Sequence, residues 1–303
     1  MQILTVQLNH PAVEKEFSNE GYCNVGQQII REWNDNPNQH YRKFIRNRGI
    51  YIENIIDSNP KDNDLIFWGE WEGYSKFHPL KRTNPNGIHE PFHSIIGRAC
   101  QNTDPYVFGD FFKYAICFQT GVMRNLDPGS LILFGTTTKV GFLLDTVFIV
   151  KSKENAENVF LNSAANYTQV YREETIEQLG ETYLGPNYSR INSIYQSYTW
   201  WDNQKKEDKE IDCFSYVPCR IDDMNYDKVI IPIPPMAKQR VGHPYKHLNP
   251  LNKEWTSPKK VWDYITNEVI KQGFYLGIRM EEPKINNGLA CGKSSKKNCN
   301  CVK

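Results

Sequence analysis

Between residues 65 and 75 the chain reads LIFWGEWEGYS, and its first part carries the two-residue period of a β-strand. Alternation puts Phe67 and Trp71 on one face, and Trp68, Glu70 and Glu72 on the other. The first face predicts core. The second sets a flat aromatic beside two carboxylates, and Gly69 leaves room for a planar group to approach the backbone. This face is the expected floor of a binding site. The competing reading makes both Trp residues core, with Glu70 and Glu72 paired to Lys or Arg.

A second apolar pattern starts at the turn Asp127-Pro128-Gly129-Ser130. Residues 131–134 and the longest apolar run, 142–150 (FLLDTVFIV), flank a glycine-bounded loop, which predicts a hairpin. Strict alternation groups Asp145 with Leu143, Val147 and Ile149, and Phe142, Leu144, Thr146 and Phe148 opposite. A carboxylate among such neighbours is costly unless it is paired. Asp145 either braces a backbone turn or faces a ligand.

Helical spacing of Val25, Ile29, Ile30 and Trp33 predicts a helix over 25–33, and 40–49 reads as a basic helical turn stopped by Gly49. Residues 76–92 read as a polar loop, 111–118, 213–220 and 274–280 as strands, and 171–179 as a helix. Over 257–273, Ser257 caps, Pro258 takes the first turn, and Val261, Trp262, Ile265 and Val269 form the apolar stripe. The expected class is α+β, with a mixed or antiparallel β-barrel-like core and peripheral helices. Residues 1–152 are the barrel candidate. Residues 153–285 form an α+β second half packed on it or belonging to the same domain. From 286 the packing signals stop, so a disordered tail is expected, carrying Cys291, Cys299 and Cys301.

Composition narrows the partners. The 303 residues carry 36 basic and 35 acidic side chains, so bulk charge demands no polyanion and any nucleic-acid contact needs a local patch. No apolar run is long enough to span a bilayer, the first residues lack a signal-peptide pattern, and the eight Cys lack a disulfide framework. A cytoplasmic protein with reduced thiols and no membrane partner is expected. Oligomeric state is not indicated.

Two chemistries fit. In the first, the chain binds a nucleotide or nucleic acid and recognises a base in an aromatic pocket. Trp68, Trp71, Tyr74, Asn102, Asp104 and Asp145 are the ligand-binding candidates, and Arg42, Lys43, Arg46, Lys76, Lys81 and Arg82 the phosphate contacts. The second is a metal-dependent nuclease or other nucleotide-processing enzyme, with Glu70, Glu72 and Asp145 holding a divalent metal or acting as acid and base. No motif requires a cofactor; a divalent metal belongs only to the enzymatic reading. There is no phosphate-cradling Gly loop, HExxH, nucleophile elbow or complete CxxC pair. His89 and His93 are four apart, but Pro91 between them argues against a helical zinc pair.

The segment 127–150 resembles PUA-like β-barrels, including the ASCH and EVE-type families. Leu131-Ile132-Leu133-Phe134-Gly135 and residues 141–150 carry the resemblance, which covers less than a third of the chain. It implies a compact barrel that binds RNA or reads modified bases, with Trp68 and Trp71 as pocket aromatics. A looser association, carried by no motif, is with nucleic-acid modification or defence between phages and bacteria.

Overall fold

A computed structural model describes residues 3–9, 12–13, 22–25, 27–32, 41–57, 59–80, 87–94, 103–115, 119, 121–155, 159, 167–177, 193–205, 211–221, 228–232, 245–247 and 257–286. Strands dominate it. In chain order they begin with β1 (Thr5–Asn9), β2 (Ala12–Val13), β3 (Tyr22–Val25), β4 (Gln28–Glu32), β5 (Tyr41–Ile52) and β6 (Lys61–Gly69). Next come β7 (Tyr74–Pro79), β8 (Gly87–His93), β9 (Lys113–Tyr114), β10 (Leu131–Thr138) and β11 (Gly141–Asn155). The set closes with β12 (Ser193–Ser197), β13 (Val217–Arg220), β14 (Ile230–Ile231), β15 (Tyr245–His247), β16 (Tyr275–Met280) and β17 (Lys284–Ile285). The helices are α1 (Gln169–Tyr171), which runs into a π-helical turn at Arg172–Ile176, α2 (Trp200–Gln204) and α3 (Pro258–Lys271).

Two sheets form. The first has the order β15-β1-β10-β11-β12-β9, with β14 also on β11; the second runs β16-β13-β6-β5-β8-β7-β4-β3. In the second, β16 pairs with β5 as well as β13, so β5, β6, β13 and β16 make a cycle of pairings. Strands from both sides of residue 152 interleave in both sheets.

The expected hairpin is present as β10 and β11, with one irregularity that moves every side chain beyond it. Phe134 pairs with Thr146 but Gly135 pairs with Leu144, so Asp145 is an extra residue, a β-bulge. The bulge resets the alternation: Phe142, Leu144, Val147 and Ile149 now share one core cluster, in place of the grouping strict alternation predicts. Gly135 opposite the bulge has no room for a side chain, because an added Cβ would collide with the Leu143 carbonyl.

One core lies between the sheets, where Ile45, Phe67 and Trp71 meet Val6, Leu8, Phe134 and Phe148. The other lies beneath α3, whose Val261, Trp262, Ile265 and Val269 cover Leu131, Leu133, Val147 and Ile149. The α3 start follows the expected signals: Ser257 accepts from the Lys260 amide, and Pro258 sits in the first turn.

Several expected elements differ. The stretch predicted as a helix over 25–33 is the hairpin β3–β4, with Gln27 at φ 69; pairing of β4 with β7 draws the adjacent Ile29 and Ile30 into extended backbone. Trp33 lies outside the described residues. The basic helical turn is β5, twelve residues long. It bonds to β6 on one edge and to β16, β8 and β2 on the other, and its consecutive residues Arg42 to Ile45 are buried, so the clean alternation of a half-exposed strand is absent. The polar loop over 76–92 contains most of β7 and β8. Of 111–118 only Lys113–Tyr114 is strand among the described residues, and of 213–220 only Val217–Arg220. The helix expected at 171–179 starts earlier, where Thr168 caps α1.

Trp71 is fully buried, packs edge-on against Phe108 at 5.4 Å, and donates its indole N–H to the Tyr74 carbonyl at 2.9 Å. Trp71→Ala should lower the unfolding free energy by roughly 3–5 kcal/mol, read from the urea midpoint at unchanged slope; a shift within error would show that Trp71 is not part of the core.

Candidate functional site

Register builds the first polar cluster. Lys43 pairs with Gly69, so one rung further Arg42 faces Glu70 across β5 and β6. Arg42 Nη1 meets Glu70 Oε2, and Arg42 Nε donates to Asp145 Oδ2 at 2.7 Å. All three side chains are buried. Burial pushes the Asp145 carboxyl up, opposed by the charge and hydrogen bond of Arg42. Asp145, read from sequence as a turn brace or a ligand contact, is instead bound to Arg42. Glu70 takes the arginine pairing that the core reading anticipated.

The remaining expected residues disperse. Trp68 is buried edge-on against Phe44 at 5.2 Å, with the Lys228 ammonium 3.9 Å from its ring. The void beside it, lined also by Leu144 and Arg220, is about 10 Å³, the size of one water and far too small for a base. Trp71 is core. Tyr74 stacks on Phe92 at 6.0 Å. Glu72 is buried, and its amide donates to Thr103 Oγ1 at 2.9 Å. Asp104 is buried and accepts from the Ala115 amide at 2.8 Å, eleven residues along the chain. Lys43 is buried. Asn102, Lys81 and Arg82 lie outside the described residues.

Arg46 and Lys76 come together on the surface. They line an open cleft of about 650 Å³ with Arg48 and Lys284, and with the carboxylates Asp64, Glu90, Glu281 and Glu282. Arg46 lies 3.5 Å from Glu90, and Arg48 is 2.6 Å from Asp62. Lys76 and Lys284 make no ion pair among the described residues. Asn47, Asn286 and the exposed Ile285 complete the walls. Lys284 was not legible as a site residue, because β17 reaches the cleft only by pairing with β8.

Behind this cleft lies a polar pair of sites that sequence spacing did not show. His93, at the end of β8, is buried with Nδ1 2.5 Å from Glu174 Oε1 and Nε2 2.6 Å from Glu173 Oε2. Burial disfavours its charge, yet the hydrogen bonds and charges of Glu174 and Glu173 outweigh that and hold its pKa above the ordinary value. His89 and His78 do not converge on it: His89 Nδ1 bonds Ser75 Oγ at 2.7 Å, and His78 lies 3.1 Å from Glu90. Lys113 is also buried, its ammonium within 5.0 Å of the ring centres of Tyr106, Phe111 and Tyr171. Burial pulls its pKa down to about 8, against the charges of Glu282 and Asp110.

Among the described residues no group of three or more His, Cys, Asp or Glu is arranged to hold a metal ion, and no helix is long and apolar enough to cross a membrane. Comparison with known proteins finds no match among family models, curated proteins or solved structures.

Two outcomes follow from these clusters. Arg42→Met strands two buried carboxylates and should lower the unfolding free energy by roughly 3–5 kcal/mol, whereas Arg42→Met with Glu70→Leu and Asp145→Leu should recover much of the loss. Denaturation of the single and triple variants checks this, and equal losses would refute it. For His93 the folded pKa lies above the unfolded value of 6.5, so its stabilisation is complete below about 6.5 and is lost as pH rises through the folded pKa. Wild-type stability should therefore fall with pH across that window relative to His93→Gln; parallel pH profiles would remove His93 as the cause.

Proposed function

We propose that the chain binds single-stranded nucleic acid along the cleft between β5, β7, β8 and the 281–286 segment. The observation that carries this reading is the gathering of Arg46, Arg48, Lys76 and Lys284 on one open cleft of about 650 Å³, with both lysines making no ion pair among the described residues. Guanidinium and ammonium groups along an open channel suit a phosphate backbone, which needs only positioned cations and no enclosing pocket. Asn47 Nδ2 already donates to the Arg48 and Glu281 carbonyls, so Oδ1 is the group Asn47 offers to a base edge. Four carboxylates share the walls, so attraction is local and favours a short segment over a long duplex.

The expected kinship with PUA-like base-reading domains, and the barrel-like core that goes with it, belongs to the same proposal. The cycle of pairings through β5, β6, β13 and β16 supports it. The reading of the protein as a cytoplasmic partner of nucleotides or nucleic acid is part of it too. A nuclease built on Glu70, Glu72 and Asp145 gains no support, because Glu70 and Asp145 are committed to Arg42 in the interior.

Fluorescence anisotropy with labelled single-stranded RNA and DNA across a KCl series tests the cleft. Lys76→Ala with Lys284→Ala should weaken binding and flatten the plot of log affinity against log salt by about 1.4, two phosphate contacts on a single strand. An unchanged slope and affinity, or no binding by the wild type at low salt, would sink the proposal.

A further inference from the structure

A second cavity, of about 330 Å³, opens between β11, β12, α2 and the 110–111 turn. Its size is within the range of small-ligand pockets. Two aromatic side chains wall it, Phe111 and Trp201, both partly exposed. Three cations reach it: Lys151, Lys205 and Arg279. Asp202 holds Lys151 at 2.7 Å, and Asp110 holds Arg279 at 2.7 Å, which fixes both cations in place. Lys205 makes no ion pair among the described residues, so the cavity keeps one net positive charge. The Asp202 carboxylate is itself pinned: it receives Thr199 N–H and O–H in a capping box, and against its burial these bonds and Lys151 lower its pKa, so it stays charged. That box fixes the start of α2 and, through it, the placement of Trp201, while Lys205 follows as the C-cap residue where the chain leaves the helix.

We infer that this cavity takes a nucleotide, with the base against Trp201 and Phe111 and the phosphate at Lys205, Lys151 and Arg279. Aromatic faces accept any base because every base has a π-face, and a net positive rim selects the phosphorylated form over the nucleoside. The ligand has two sources, a free mononucleotide or one nucleotide of a bound strand. The second rests on the proposed function of the cleft. Arg279 lines the cavity and Glu281, two residues further on, lines the cleft, so the two sites share one stretch of backbone.

Calorimetry with the four nucleoside 5′-monophosphates, ribose 5-phosphate and inorganic phosphate tests the inference on the full chain. The mononucleotides should bind at least about tenfold tighter than ribose 5-phosphate, the share expected from stacking. Trp201→Ala and Lys205→Glu should each weaken mononucleotide binding by about tenfold or more, while Lys76→Ala with Lys284→Ala leaves it unchanged. Lys205→Glu, at the exposed end of α2, keeps the test valid where Trp201→Ala disturbs folding. Sugar phosphate binding as tightly as nucleotide, or no effect of either variant, overturns the inference. If strands bind the cleft but no mononucleotide binds and Trp201→Ala leaves strand affinity intact, the cavity site fails and the cleft stands. If mononucleotides bind through Trp201 but strands do not bind, the cavity site stands with the free nucleotide as its ligand and the cleft fails. A strand affinity lowered by Trp201→Ala identifies an extruded nucleotide as the source.

Discussion

The guanidinium of Arg42 is shared between Glu70, beside it in one sheet, and Asp145, projected from the other. Removing one member of an ion group of this kind, out of reach of water, leaves the others buried without it, which is strongly destabilising. The sheets are therefore held in the relative placement in which Arg42 reaches both carboxylates. The β-bulge makes that placement possible. Without the extra residue in β11, the run from Phe142 to Leu144 would change faces, and the apolar contacts beneath α3 would be broken. The bulge thus aims a carboxylate at Arg42 and repairs the packing register in the same stroke.

Sequence periodicity conveyed the elements that own a face. Leu65–Gly69, the hairpin around Gly135, and α3 with its Ser-Pro start each pair a regular apolar spacing with clear stops, and each is present in the structure. The expected core pair of Phe67 and Trp71 also holds, since both rings pack against Phe108. β5 was opaque for a physical reason: consecutive residues from Arg42 to Ile45 are buried, so both faces are covered and no alternation marks the strand, and 40–49 read as a basic helical turn. The π-helical turn after α1 likewise places Glu173 and Glu174 side by side toward His93, a pairing across about eighty residues that no local pattern encodes.

The site was legible only in its residue types. Cations assigned to phosphate divide sharply by depth: Arg42 and Lys43 are interior, while Arg46 and Lys76 face the cleft. Charge along a sequence does not say which side chain another element will neutralise, and Asp145 lies 103 residues from Arg42. The aromatics conspicuous in sequence became core, and the ones that wall a cavity, Phe111 and Trp201, stood in unremarkable company. Aromatic density marks where a chain needs buried area, which is a different demand from where it leaves a face open.

The double pairing of β16 bears on how the large sheet closes off one of its ends. A sheet end is a row of backbone groups that invites another chain to add on, and long flat ends are where aggregation begins. In the large sheet β16 turns back onto β5, so that end is sealed by its own chain. Among the described residues the ends that remain are β3, β9 and β15, of four, two and three residues. Each is short, so the open ends of a protein built mostly of sheet offer little length for an added strand.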